Sequence, residues 1–335
     1  MKRIRIPLSA SYVINLALMA AVLVFGNLIM SSGMVGRAQR SVILLVGIYM
    51  ILAVSLNVAT GYLGQLPLGH AGFMAVGGYA GAIFWKSGLL QQGPLMLVAG
   101  LLAAGLVAAL FGVAIGIPAL RLRGDYLAII TLGFGEIIRV AIINLPSITG
   151  GTPGLKNIPK YSTFVVVYAC VMLSCIVIHM VMKSRHGRAI LSIRENEIAA
   201  ESCGINTTYY KVMAFALSAF FAGIAGALYA GNQGILVPSG FDFMMSINIL
   251  VMVVLGGMGS MVGSLIAAAI LTSLPLALQG FSDYRMILYS LLLIIVMVFK
   301  PSGLMGTYDF SMRRILGKVG TRILYGHKDE GGIAP

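Results

Sequence analysis

Apolar residues run along this chain in long unbroken blocks, separated by short basic or Gly-rich breaks. Blocks of about 18 or more apolar residues are long enough to cross a bilayer as helices, and a helix satisfies its own backbone polar groups there. A transmembrane barrel would instead show short segments of alternating polarity. The pattern therefore predicts an all-α, polytopic membrane protein. Ten spans are expected, at about 12–30, 40–60, 66–85, 94–117, 125–143, 162–182, 211–231, 244–257, 260–279 and 284–300. The first reads as a retained span and not a cleaved leader, because the apolar run is long and no small-x-small cleavage site follows it.

The breaks carry the orientation. With the N-terminus inside and ten spans, sixteen Lys and Arg residues fall on the inner side and six on the outer side, with Arg139 inside a span. Basic residues collect in cytoplasmic loops, so both termini are expected in the cytoplasm. The segment 144–161, with its prolines and glycines, is then external. The segment 183–210 is the longest internal loop, and ILSIRENEIAAESCG within it reads as a short helix stopped at Gly204. Residues 1–310 are read as one transmembrane domain and 311–335 as a basic cytoplasmic tail.

Composition supports lipid as the main solvent. Hydrophobic residues make up 59% of the chain and charged residues 10%, against about a quarter charged in soluble domains. The net charge of +13 fits cytoplasmic basic loops and does not require a nucleic-acid partner. Cys170, Cys175 and Cys203 form no CxxC pair and read as reduced packing residues. No metal-ligand spacing links His70, His179, His186 and His327, and no nucleophile–base pair stands out. In the nearest approach to a nucleotide loop, Trp85 stands before Lys86 where a Walker loop needs glycine. No catalytic residue, metal or cofactor is therefore expected.

Within this apolar chain the stretch 61–83, GYLGQLPLGHAGFMAVGGYAGAI, stands out for its glycines, Pro67, Gln65 and His70. A second Gly-rich turn, LGGMGSMVG, follows the eighth span, and both turns fall on the inner side. Paired Gly-interrupted segments can mark a translocation site. Polar groups at membrane depth usually face a bundle interior or a watery path. Asn57, Gln65, His70, Glu136 and Asn248 are the candidates for such a path. For Asn57, Gln65 and His70 a satisfied interior hydrogen bond is the alternative, and Glu136 can pair with Arg139 three residues on. The spacings Gly77/Gly81, Gly112/Gly116 and Gly259/Gly263 fit close packing within one bundle or a dimer face.

Several of these stretches resemble, in order, the motifs of membrane permeases of branched-chain amino acid ABC importers. LNVATGYLGQLPLGHAGFMAVGGYAGAI is similar to that family's signature, and RLRGDYLAIITLGFGEIIR, NLPSITGGTPGL, IRENEIAAESCGIN and VLGGMGSMVG follow. The IREN loop and the FKPSGLMG ending resemble the LivM-type subunit more than its LivH-type partner. Pro67 stands where the family commonly has serine, and Gly78 where alanine is common. The resemblance implies a bacterial inner-membrane subunit forming half of a path for leucine, isoleucine, valine or a related small solute. It implies four kinds of surroundings: a LivH-like second permease, two cytoplasmic ATPase subunits, an extracellular or periplasmic substrate-binding protein, and the lipid bilayer. It also implies that 183–210 couples to an ATPase, through Arg194, Glu195, Asn196, Glu197, Ala200, Glu201 and Gly204. Relatives import urea, amides or aromatic acids, so the solute stays open, with a secondary transporter as the competing class.

Overall fold

The computed structural model describes residues 36–88, 93–122, 124–277 and 303–306, with isolated positions at 26–28, 290, 294, 298 and 299. Most of the expected first and tenth spans, and the whole basic tail 311–335, lie outside the described residues. The described residues from 36 to 306 belong to one compact unit, Val35–Tyr308.

The helices in order are α1 (Arg37–Asn57), α2 (His70–Lys86), α3 (Pro94–Ala119), α4 (Asp125–Ile143), α5 (Phe164–Lys183), α6 (Arg185–Glu195), α7 (Glu197–Ser202), α8 (Thr207–Gln233), α9 (Phe243–Gly256) and α10 (Met261–Ala277). α1 continues into a π-helical turn, Val58–Tyr62. Single turns also form at Pro146–Thr149 and Pro238–Gly240. Among the described residues there is no strand, only an antiparallel bridge between Leu155 and Leu236. Gln39–Tyr62, Pro94–Ala119, Asp125–Ile143, Phe164–Lys183, Thr207–Gln233 and Pro238–Gly256 are each long and apolar enough to cross a membrane, and Met261–Pro275 is a shorter apolar helix. These agree with the expected second and fourth to ninth spans. The expected third span is a 17-residue helix that begins at His70, after a non-helical approach over 63–69.

α8 sits at the centre, packed on α1, α2 and α3. Lipid gives helices no hydrophobic reason to associate, so close backbone contact has to supply the attraction. Small residues make that contact possible: a methyl added to Gly77 would strike Gly223, and one added to Gly112 would strike Ala219. Gly81 faces Ala227, and Gly263 faces Gly256. The small-residue spacings read from the sequence are thus used inside this chain. Gly78 belongs to the same seam, since a methyl there would stand 3.0 Å from the Gly226 carbonyl oxygen. The outward face of α3 is the reverse, with Leu95, Leu102, Leu106 and Leu110 exposed as a lipid-facing side.

Segments assigned to the same side of the membrane meet. On the outer side, Leu155 and Leu236 exchange backbone hydrogen bonds of 2.9 Å, and Lys86 Nζ donates to the Lys156 carbonyl at 3.0 Å. Gly154 at that bridge has φ +78° and lies against the Leu236 carbonyl, so a side chain there would be both strained and obstructed. On the inner side, the turn after α1, the loop 183–210, the turn 257–260 and residues 303–306 come together.

Candidate functional site

The inner cluster is built from the end of α1. The π turn breaks the regular ladder, and Leu63 N–H reaches the Val58 carbonyl at 3.1 Å while Gln65 N–H reaches Ala59 at 2.9 Å. Asn57, wholly buried at this break, spends its amide on the other Gly-rich turn. Its Nδ2 donates to the Ser260 carbonyl at 3.1 Å, and its Oδ1 accepts from Gly259 N–H at 2.9 Å. Gly61 lies so near that a methyl on it would strike both Asn57 Oδ1 and Gly259 N. Residues 303–306 complete the cluster: Leu304 N–H and Met305 N–H donate to the Leu255 and Gly256 carbonyls at 2.8 and 3.3 Å, satisfying acceptors that the end of α9 leaves open. The two Gly-rich turns, recognised in the sequence only as an echo of each other, are bonded together.

The loop 183–210 folds as two helices with side-chain caps. Ser184 accepts from Gly187 N–H at 3.4 Å to start α6, Asn196 accepts from Ala199 N–H at 3.1 Å to start α7, and Asn206 accepts from Tyr209 N–H at 3.0 Å to start α8. Ile190 and Ile193 bury the inner face of α6. Lys211, buried in the first turn of α8, holds Glu197 Oε1 at 2.7 Å. Arg194 Nη1 donates to the Gly61 carbonyl at 2.6 Å. The loop is tied to the bundle at its base and presents its tip.

A small, partly open cleft with room for about one water molecule lies between α2, α4 and α9. Its walls come from the approach and first turn of α2 (Leu68, Ala71, Gly72), from α4 (Leu132, Gly135, Glu136) and from the start of α9 (Asp242, Ser246). Depth follows from the contacts. Ala71 N–H donates to Ser246 Oγ at 3.1 Å. From that level α9 runs on to Gly256, about 15 Å at 1.5 Å per residue, before reaching the inner turn. α2 therefore starts within the bundle, short of its inner end, and α9 starts beside it. Leu68 N–H donates to Thr131 Oγ1 at 3.0 Å, which fastens the approach to α4. Asp242 caps α9 by accepting from Met245 N–H at 2.9 Å. Glu136 pairs with Arg139 at 2.7 Å, and the two side chains stay 36% and 30% exposed. Half-exposed charge at this depth does not suit hydrocarbon and marks the α4–α9 side as facing water or protein.

The expected residues thus separate. Glu136 lines the cleft. His70 is buried, with Nε2 hydrogen-bonded to Ser55 Oγ at 3.0 Å, in the same seam where Ser218 Oγ donates to the Ser55 carbonyl at 2.7 Å. Asn57 is in the inner joint, Gln65 is half-buried in the turn above it, and Asn248 is exposed on α9. In the loop, Glu195, Asn196, Glu201 and Gly204 are exposed, Arg194 and Glu197 bond inward, and Ala200 is buried. Two residues escaped the sequence reading. Asp242 carried a signal, a capping residue directly before an apolar run. Ile198, 66% exposed at the loop tip, carried only its oddity as an apolar residue among charged ones. Among the described residues no group of metal-ligating side chains forms, and the three cysteines are free thiols.

Helices that begin within the bundle beside a small polar cleft, together with a loop anchored at one end of the bundle, are features a membrane permease component can have. The chain belongs to the family described as branched-chain amino acid transport system / permease component, whose family model matches residues 39–298. It is 38% identical over 309 residues to the high-affinity branched-chain amino acid transport system permease protein LivM of Escherichia coli, covering 81% of this chain and 71% of that protein. The Salmonella typhimurium LivM is 37% identical over the same shares. The permease protein LivH of Escherichia coli is 24% identical over 281 residues, covering 77% of this chain and 91% of that protein. No solved structure matches.

Proposed function

We propose that this chain forms half of the transmembrane path of an ATP-driven importer for leucine, isoleucine, valine or a related small solute. A LivH-like permease supplies the other half, two ATPase subunits dock beneath on the cytoplasmic side, and a binding protein delivers solute from outside. The site is the bacterial inner membrane, and ATP hydrolysis belongs to the partners. The observation that carries this reading is the 183–210 loop: fastened at its base through Arg194 and Lys211, and exposed at its tip through Ile198, Glu201 and Gly204. A rigid base with a free tip suits a lever that receives force from a separate protein.

Solute would pass beside the cleft that Glu136 and Asp242 line, with Gln65 and Asn248 along the same route. Asn57 and His70 act there as braces. The cycle is an exchange between outward-open and inward-open forms, biased by the nucleotide state of the docked subunits. The test is uptake of labelled leucine into proteoliposomes holding both permeases, the ATPases and the binding protein. ATP-dependent uptake, inhibited by unlabelled isoleucine and valine, is the expected result. Inhibition by urea or benzoate with no effect of branched-chain amino acids would move the solute assignment. Uptake by the permeases alone, driven by an ion gradient, would refute the ATP-driven reading.

A further inference from the structure

Three inner segments meet at one side chain. Arg194 leaves the end of α6 and donates through Nη1 to the Gly61 carbonyl at 2.6 Å. Its stem lies along Gly64, where a built Cβ would stand 3.1 Å from Arg194 Cγ and 3.6 Å from its Cβ. The same Nη1 is 3.1 Å from the place where a Cβ on Gly259 would stand. Side chains at Gly64 or Gly259 would obstruct the arginine, and both residues have positive φ, +76° and +89°. One cation thus bonds to the first Gly-rich turn and lies beside the second from the loop side, while Asn57 joins the same turns from the core side. The site suits arginine: a planar fork of five donors can follow a carbonyl-rich turn, and a positive charge is favourable at the end of α1 where carbonyls collect.

The other loop anchors lead elsewhere. Ile190 and Ile193 pack beneath α6, and Glu197 is tied to α8 by Lys211. The turns are the movable parts, since 58–62 is π-helical, 63–69 is non-helical and 257–260 is glycine-rich. We infer that Arg194 is the positioning residue that carries displacement of the α6–α7 loop into the two inner turns, shifting Gly61 directly and Gly259 through Asn57. This rests on the reading of the loop as an ATPase dock. It adds a route from that dock to the inner closure of the path.

The experiment uses the complete reconstituted importer and follows leucine uptake and ATP hydrolysis together. Wild type must first show ATP-dependent uptake; if it does not, the dock reading fails and the inference falls with it. In Arg194→Ala the ATPases are expected to co-purify at wild-type stoichiometry and to keep hydrolysing, while leucine moved per ATP falls about tenfold, the scale of a typical coupling energy. Arg194→Lys should recover part of that ratio. A parallel fall in uptake and hydrolysis, a loss of bound ATPase, or unchanged uptake would each overturn the inference. A second variant tests the link itself. Gly64→Cys with Arg194→Cys, in a Cys203→Ser background, places the two Cβ atoms at a separation of 3.6 Å, which a disulfide accepts. Oxidation should restore uptake per ATP relative to the reduced sample at equal hydrolysis. Equal ratios in the oxidised and reduced samples would overturn the inference.

Discussion

Removing the Asn57 amide should loosen the inner joint while leaving the bundle folded. The side chain is wholly buried and makes two hydrogen bonds to the turn 257–260, at 3.1 and 2.9 Å. The two partners lose unequally. The Ser260 carbonyl also accepts from Ser264 N–H and Ser264 Oγ, each at 3.1 Å, so it keeps bonds. Gly259 N–H, which is only half-buried, loses its acceptor. Each lost hydrogen bond is worth about 0.5–1.5 kcal/mol, giving about 1–3 kcal/mol for the joint. Asn57→Ala adds a small cavity to that cost. Asn57→Leu nearly keeps the volume and isolates the polar part. The assay is hydrogen exchange followed by mass spectrometry on the detergent-solubilised protein. At about 1.4 kcal/mol per tenfold, exchange at Gly259 should rise by about 5-fold to 100-fold. Amides in the middle of α8 should not change. Protection restored by leucine would show that packing and not hydrogen bonding holds the turns together, and unchanged exchange in both variants would refute the joint.

Ile198→Asp, at a tip 66% exposed, should release the ATPase subunits and abolish uptake without shifting the melting temperature of the isolated chain; retained ATPase binding would refute the tip as a docking point. The resemblance places Glu197 and Glu201 in one coupling role, and the structure separates them. Glu201→Lys changes an exposed residue and should weaken ATPase co-purification while leaving stability within about 0.5 kcal/mol. Glu197→Lys leaves Lys211 buried without this partner and should cost about 3–5 kcal/mol, read as faster proteolysis within 183–210; equal behaviour of the two variants would count against the ion pair as an anchor. Gly226→Val puts a branched side chain where a single methyl already meets the Met74 carbonyl, and should abolish recovery of monodisperse protein; normal yield would show that the α2–α8 seam is loose.

The sequence made the spans legible because each is a local property, a run of apolar residues about one bilayer long. The basic residues also gave an expected orientation, and the loop 183–210 that it assigns to the inner side folds as two capped helices. It could not choose between roles for Asn57 and His70, because the deciding partners are remote: Ser260 is 203 positions from Asn57, and Ser55 is 15 positions and one helix away from His70. Polarity at depth says that a partner exists, not which one. The glycines are a similar case. Gly77 and Gly61 look alike in the sequence, yet one lets two helices touch and the other lets a turn pass Asn57. Ile198 was passed over because a single apolar residue in a polar loop has no periodicity to reveal it.

The two helices that begin inside the membrane explain one another. A helix start exposes N–H groups, and hydrocarbon cannot satisfy them. α9 solves this with its own Asp242, which accepts from Met245 N–H. α2 starts after Gly69, which has no side chain to offer, and its Ala71 N–H is met by Ser246 from α9. The start of α2 is thus partly capped by α9, and the bond lies in the wall of the cleft. Moving α2 away from α9 leaves that N–H bare unless something polar enters. Water or a passing solute can take the place of Ser246, and lipid cannot. On the proposed reading of this cleft as the wall of the path, it would widen at low cost only as it becomes wet, which would link its opening to occupancy. That link is built from a serine and a glycine and needs no charged gate.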